Sequence, residues 1–231
     1  MTLPKAWMAW SSGKDSAWAL HTLRTRHEVE TVALLTTVNA SAARVAMHAV
    51  RQGLLEAQAA ALDMPLVTVP IPSPCSNQVY EQAMAEAMRR AREEGVTRIA
   101  FGDLFLEDVR RYREEKLASS GITPLFPLWG LETRALAQEM VEAGLQAYIT
   151  CIDPKKLDRG FAGRIYEAKF LRDLPPSVDP CGENGEFHTY AYRGPMFRVP
   201  ISVEPGEVVE RDGFIFADLL PATSIVVKSA D

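Results

Sequence analysis

The sequence predicts an α/β fold, a doubly wound and mostly parallel sheet with a smaller β-rich lobe after it. Two patterns predict this. Over the first 150 residues, short apolar runs of β type alternate with segments of helical period across short joints, as in a parallel sheet with right-handed crossovers. After Asp153-Pro154 the chain turns to proline pairs, a glycine-containing stretch and short alternating segments. The expected division is 1–153 for the α/β domain and 154–231 for a smaller C-terminal lobe with a β-hairpin.

Residues 5–10 read as a short apolar strand running directly into Ser-Ser-Gly. Beyond it Ser16, Ala19, Leu20 and Leu23 fall at i, i+3, i+4 and i+7, one face of a helix. The run VETVALLTT at 29–37 suits a strand buried on both faces. A helix at 47–62 stops before Met64-Pro65, and Leu66-Val67-Thr68-Val69 is the next strand. Tyr80, Ala83, Met84, Ala87 and Ala91 mark one face of a long helix closed by Gly95, and a strand at 97–101 exits through Gly102-Asp103. The helix at 132–143 places Leu136, Met140 and Ala143 together, and the strand at 145–151 is expected to continue the parallel pattern. In the lobe, strands are expected near 189–192, 199–203, 208–209 and 214–216, with Arg211-Asp212-Gly213 as a hairpin turn.

With 231 residues, 47% of them apolar and 24% charged, the chain can bury one sizeable core. The net charge is −5, and basic residues alternate with acids even where they crowd, as in Arg89-Arg90-Ala91-Arg92-Glu93-Glu94. Nucleic acid is therefore not expected as a partner, because phosphate neutralisation needs a basic face. No apolar run is long enough to span a bilayer and no leader is evident, so a cytoplasmic protein without membrane attachment is expected. Cys75, Cys151 and Cys181 are far apart, form no C-x-x-C and read as reduced thiols. A homodimer is compatible with all of this.

The chemistry concentrates at Ser11-Ser12-Gly13-Lys14-Asp15-Ser16. It is no Walker A loop: Met8 stands where that pattern needs its first glycine, and Asp15 where it needs Ser or Thr. Small residues still let the backbone approach an anion closely, amides at a helix N-terminus face it, and Lys14 adds a full charge. Ser11, Ser12 and Ser16 add hydroxyl donors. The loop also follows the first strand of an α/β sheet, where such folds bind ligands.

These residues resemble the S-G-G-K-D-S loop of the N-type ATP pyrophosphatases, with Ser12 at the first glycine, a mild change provided the backbone there does not need positive φ. Three further stretches narrow the resemblance to the diphthine–ammonia ligase family. They are Met47-His48-Ala49-Val50-Arg51 ahead of the second helix, Gly102-Asp103-Leu104 followed by Arg111-Tyr112-Arg113-Glu114 and Pro127-Leu128-Trp129, and Cys181-Gly182-Glu183-Asn184-Gly185-Glu186-Phe187-His188-Thr189. The last is similar to the family's E-G-G-E-[FY]-E-T motif, with Asn184 in place of a glycine and His188 in place of an acid. The resemblance runs from Trp10 to about Phe197 and implies a sheet like that of the adenine-nucleotide α-hydrolases.

It also implies an ATP-dependent ligase that adenylates a carboxylate, releases pyrophosphate and forms an amide with ammonia, with ATP and Mg²⁺ as cofactors. The acceptor would be diphthine on elongation factor 2 in an archaeal or eukaryotic source and another carboxylate elsewhere. Lys14 and the loop amides would hold the departing pyrophosphate, with Asp15, Glu183 and Glu186 in the chemistry. Asp103 is the expected Mg²⁺ ligand beside Gly102, since Mg²⁺ favours one or two carboxylates plus phosphate oxygens. Thr36, Thr37 and His48 are expected near the nucleotide, and Arg111, Arg113, Asn184, Gly185, His188 and Thr189 near the acceptor. Two other readings keep the nucleotide and change the rest: a sensor module that binds ATP without turnover, and an RNA-modifying ATP pyrophosphatase.

Overall fold

The computed structural model describes residues 2–39, 44–45 and 50–222, with the backbone alone at 44–45. Strands β1 (Lys5–Ala9) and β2 (Glu30–Asn39) pair in parallel. A two-residue strand, β3 (Arg44–Val45), runs antiparallel to the end of β2. Strands β4 (Leu66–Ile71), β5 (Val96–Ala100) and β6 (Thr123–Leu125) complete a parallel array in the order β4-β2-β1-β5-β6. The chain therefore winds outward from β1 on one side and returns to start again beside it with β5. In an open α/β sheet this reversal leaves a crevice at the carboxyl ends of the two central strands.

Trp7 and Met8 are both fully buried on opposite faces of β1, so each face is covered. One core, built on Met8 and Leu34, takes α1 (Lys14–Arg26), α2 (Gln52–Leu62) and much of the C-terminal lobe. The other, built on Trp7, Leu35 and Ile99, takes α3 (Asn77–Glu93) and the end of α4 (Glu107–Leu117). Helix α5 (Thr133–Glu142) then leads out of the parallel sheet, its first amides capped by the Glu132 carboxylate.

The strand expected to extend that sheet does not. Strand β7 (Gln146–Ile152) is the centre of a second, wholly antiparallel sheet. Strand β9 (Phe187–Arg193) lies on one side of β7, while β8 (Ile165–Tyr166) and β11 (Phe214–Pro221) share the other and β10 (Val203–Arg211) pairs with β11. An apolar run reports that a strand is buried, not which strands it pairs with, and β7 is as buried as any strand of the first sheet. The strand expected at 199–203 is also absent up to Ser202, because Pro200 removes an amide donor from that stretch, and only Val203 enters β10. The hairpin is as expected: Arg211 pairs with Phe214 across Asp212 (φ 53°) and Gly213 (φ 80°), the two positive φ values of a mirror-image turn. Among the described residues no helix is long and apolar enough to cross a membrane.

Candidate active site

The loop after β1 meets the second sheet edge-on. Lys14 N–H, in the first turn of α1, donates to Thr189 Oγ1 of β9 at 3.0 Å, and Ala191 N–H donates to the Ser12 carbonyl at 2.9 Å. Within the loop Ser11 Oγ and Ser16 Oγ lie 3.2 Å apart, and Ser16 Oγ donates to the Gly13 carbonyl at 2.9 Å. Gly13 caps α1 with extended backbone and no side chain, so the opening turn of the helix faces the crevice.

Ser12 departs from the mild substitution expected. Its φ is 69°, in the left-handed region that glycine adopts freely, and the residue is fully buried with Oγ in no hydrogen bond. What holds it there is its carbonyl, which also accepts from Gln58 Nε2 at 3.0 Å. Gln58 is fully buried on α2; it donates to the Ala191 carbonyl at 2.7 Å and accepts from the Trp10 indole at 2.8 Å. One amide thus ties the end of β1, the loop and β9 together. Sequence reasoning missed it, although a glutamine on the buried stripe Leu54, Leu55, Ala59, Leu62 was a visible signal.

The exit of β5 completes the crevice. A Cβ on Gly102 would lie 2.8 Å from the Asp15 carbonyl carbon and 2.9 Å from Ser16 N, so only glycine lets this strand touch the loop. Asp103 is paired with Arg113 of α4, Nη2 to Oδ1 at 3.0 Å and Nε to Oδ2 at 2.7 Å. The second contact is too bent for a hydrogen bond and leaves both atoms buried without one. The Arg113 guanidinium sits 4.2 Å over the Phe101 ring.

The lobe closes over the top. Lys14 Nζ is buried and held by both Asp15 oxygens at 2.8 Å and by the Cys181 carbonyl, 5.5 Å from the Tyr166 and Phe187 rings. Burial works against its charge, but Asp15, Cys181 and Glu183 outweigh that and hold its pKa above the ordinary value. Glu183 Oε1 accepts from Leu104 N–H at 2.8 Å, joining lobe to strand exit. Burial pushes the Glu183 carboxyl up to about 7, helped by Asp15 and Asp103 and opposed by the Leu104 hydrogen bond and Lys14. His188 is pushed down to about 4 by burial and by Lys14, so it is neutral at neutral pH. The result is a crevice of about 340 Å³ with an amide-lined floor, a buried ammonium and three carboxylates.

Family models meet this chain along nearly its whole length. One described as the diphthamide synthase N-terminal domain matches residues 4–124, and one described as the diphthamide synthase C-terminal domain matches 132–217. The chain belongs to the diphthamide synthase family. The seam between the two matches, at 125–131, precedes α5 and β7. Diphthine–ammonia ligase of Bos taurus is 30% identical over 157 residues, 65% of this chain and 58% of the relative. That of Homo sapiens is 29% identical over 177 residues, 71% and 66%, and that of Danio rerio 30% over 118 residues, 48% and 46%. The chain spans less than two thirds of each of these relatives.

Most residues singled out from the sequence meet at the crevice. Its walls take Ser11, Gly13, Lys14, Asp15 and Ser16 from the loop, Thr36 and Thr37 from β2, Gly102 and Asp103 from the β5 exit, and Arg113 from α4. The lobe contributes Glu183, Gly185, His188 and Thr189. Thr36 also ties down the loop's entry, donating to the Trp10 carbonyl at 2.8 Å.

Four lie elsewhere. Ser12 is beneath the loop. Arg111 is exposed outside the crevice, because two residues along a helix turn a side chain to the far side from Arg113. Asn184 is exposed, its carbonyl bonded to Lys156 Nζ and its amide to Glu186. Glu186 is buried inside the loop it was expected to present, with Oε1 accepting from Asp179 N–H at 3.0 Å and Oε2 in no hydrogen bond. Glu186 braces the 179–186 turn, a role that its spacing from Glu183 could not distinguish from presentation to a ligand. His48 lies outside the described residues. No group of three or more His, Cys, Asp or Glu side chains among the described residues could hold a metal by itself.

Proposed function

We propose that this chain is an ATP-dependent ligase that adenylates a substrate carboxylate, releases pyrophosphate and joins the acyl group to ammonia. The observation that carries the reading is the strand order, which brings the Ser11–Ser16 loop and Gly102-Asp103 to one crevice at the winding reversal, under Glu183. An oxygen of the acceptor carboxylate attacks the α-phosphorus, the bond to the bridging oxygen breaks, and pyrophosphate leaves with that electron pair. Ammonia then attacks the acyl carbon and AMP departs.

The loop amides at the start of α1 bind the β- and γ-phosphates, and Lys14 compensates the charge that develops on pyrophosphate. To do so it exchanges the Cys181 carbonyl for phosphate oxygens. Glu183, with a pKa of about 7, takes the proton that ammonium or the attacking amine must lose. Neutral His188 adds a hydrogen-bonding group without repelling a cation.

Asp103 and Asp15 would supply the one or two carboxylates that Mg²⁺ accepts when phosphate oxygens complete its shell, each sharing the metal with its present ion-pair partner, Arg113 and Lys14 respectively. When bound, Mg²⁺ would neutralise phosphate charge. Sulfur transfer to RNA is disfavoured by the thiols: Cys151 and Cys181 are buried, and burial pushes them up to about 11 and about 12. The acceptor named by the relatives is diphthine, which this reading takes as the model for a carboxylate acceptor here.

Incubation with ATP, Mg²⁺, ammonium and candidate carboxylates, followed by nucleotide and pyrophosphate analysis, tests the reading. AMP and pyrophosphate in equal amounts are expected. ADP and phosphate would overturn it. Tight ATP binding that survives Asp103→Ala, without pyrophosphate under any acceptor, would make the chain a nucleotide sensor.

A further inference from the structure

The crevice is not a closed box. On the α3–α4 face a groove of about 850 Å³ shares Tyr80, Met84, Ile99, Phe101 and Arg113 with it. Its walls are largely carbon, with Met84, Ala85 and Met88 from α3, Ile99 and Phe101 from β5, and Leu117 from α4. From Tyr80, beside the crevice, to Arg92 at the far end is twelve helical residues, about 18 Å. Charge is confined to the edges, where Arg89, Arg92, Arg113 and Lys116 outnumber Glu81 and Glu93. Lys116 is paired with Glu81 and Arg89 with Glu86 and Glu93, whereas Arg92 donates to the Ser120 carbonyl, which does not neutralise it.

A crevice of about 340 Å³ is at the lower end of the range for small-ligand sites, and the proposed nucleotide would take it. The lobe covers the side of Cys181 and Glu183. On the side of Arg113 the crevice and the groove adjoin, with Arg113 lining both.

We infer that the α3–α4 groove is the acceptor site, and that the acceptor is a free carboxylic acid with an extended apolar stem. The stem lies on Met84, Met88 and Leu117, and the carboxylate sits at Arg113, next to the place where the α-phosphate must lie. Arg113 is suited to this because it already spans both spaces: one edge holds Asp103, its face rests on Phe101, and the side chain is 31% exposed. An apolar groove selects for length and apolar area, and a guanidinium at its inner end selects for a carboxylate. This inference rests on the adenylation reading for its chemistry but not for its binding test.

The test is calorimetric titration of the full chain, with its crevice filled by α,β-methylene-ATP and Mg²⁺, using linear acids from butanoate to dodecanoate and the matching primary alcohols. Affinity for the acids is expected to rise about fourfold per added methylene until the groove is full, a factor set by the transfer free energy of a buried methylene. The alcohols should bind at least about tenfold more weakly, for want of the ion pair.

Ala85 is exposed on α3 and lines only the groove, so Ala85→Trp obstructs it without touching the crevice. This variant should weaken octanoate about tenfold or more and leave the nucleotide affinity unchanged, with Ala85→Met intermediate. Acids that bind without length dependence, acids unaffected by Ala85→Trp, or nucleotide and acid affinities that fall together would each overturn the inference. So would light scattering that finds a wild-type dimer broken by Ala85→Trp with no acid bound, which would give the groove to a second copy. Acids that bind as expected while ATP yields no pyrophosphate would sink the adenylation reading and leave the acid site standing. Pyrophosphate released with acids that ignore Ala85→Trp would do the reverse.

Discussion

Ser12→Gly should make the protein more stable. Two costs disappear on substitution. A non-glycine residue at φ 69° costs about 1–2 kcal/mol, and a buried hydroxyl without a partner costs about 1–3 kcal/mol more. Two losses oppose them. Glycine gives the unfolded chain about 0.5–1 kcal/mol of extra entropy to lose, and the missing methylene removes about 0.8 kcal/mol of burial. The balance is a gain of about 2 kcal/mol, which for a chain of this size raises the midpoint of thermal unfolding by about 4–8 °C. Circular dichroism melts and urea titrations of wild type, Ser12→Gly and Ser12→Ala measure it. Ser12→Ala removes the hydroxyl and keeps the backbone strain, so it should recover only part of the gain. A Ser12→Gly protein no more stable than wild type would refute the reasoning, and equal gains from the two variants would assign the whole effect to the hydroxyl.

Gly102→Ala drives a methyl group into the backbone of Asp15 and Ser16, and should cost about 1–3 kcal/mol in urea unfolding and weaken ATP by about tenfold, read by calorimetry. Gln58→Leu strands the Trp10 indole N–H and should cost about 1–3 kcal/mol, with a matching rise in exchange of that proton by NMR. Glu183 holds its proton to about pH 7 when folded and to about 4.5 when unfolded, so the folded state binds more protons in that window and Glu183 makes stability fall as pH rises through it. Glu183→Gln should flatten that fall in pH-dependent unfolding and remove a limb near pH 7 from the rate profile; a limb that survives the substitution would assign it to another group.

The sequence disclosed the parallel array because Trp7 and Met8, or Ala33 and Leu34, bury successive side chains on both faces, and only sandwiched strands do that. It did not disclose where β7 belongs, since pairing partners leave no trace in a strand's own periodicity. At the site, Lys14, Asp15, Gly102 and Asp103 were legible because each follows the carboxyl end of a central strand, Gly102 and Asp103 directly and Lys14 and Asp15 at the start of the helix after the loop, positions that topology fixes. Glu183 and Glu186 read alike, yet one reaches Leu104 across the crevice and the other turns into its own loop; a single glycine at φ 79° between them sets the difference. Ser12 looked mild because φ is not written in a residue's name. Gln58 was overlooked because its partners, Trp10, Ser12 and Ala191, come from three separated segments.

The bond from Lys14 N–H to Thr189 has a consequence for how the molecule is made. Its two ends lie 175 residues apart, and the Cys181 carbonyl that holds the Lys14 ammonium is nearly as distant. On the ribosome the loop at 11–16 emerges well before β9, the strand that it bonds to. A nascent α/β half can lay down its parallel strands early and hold the loop through Thr36 and Gln58, but the bonds from Lys14 N–H to Thr189 and from Ala191 N–H to Ser12 wait for β9. Chains arrested before β9 would lack these bonds, so the candidate site is completed across the two sheets and not within the parallel one.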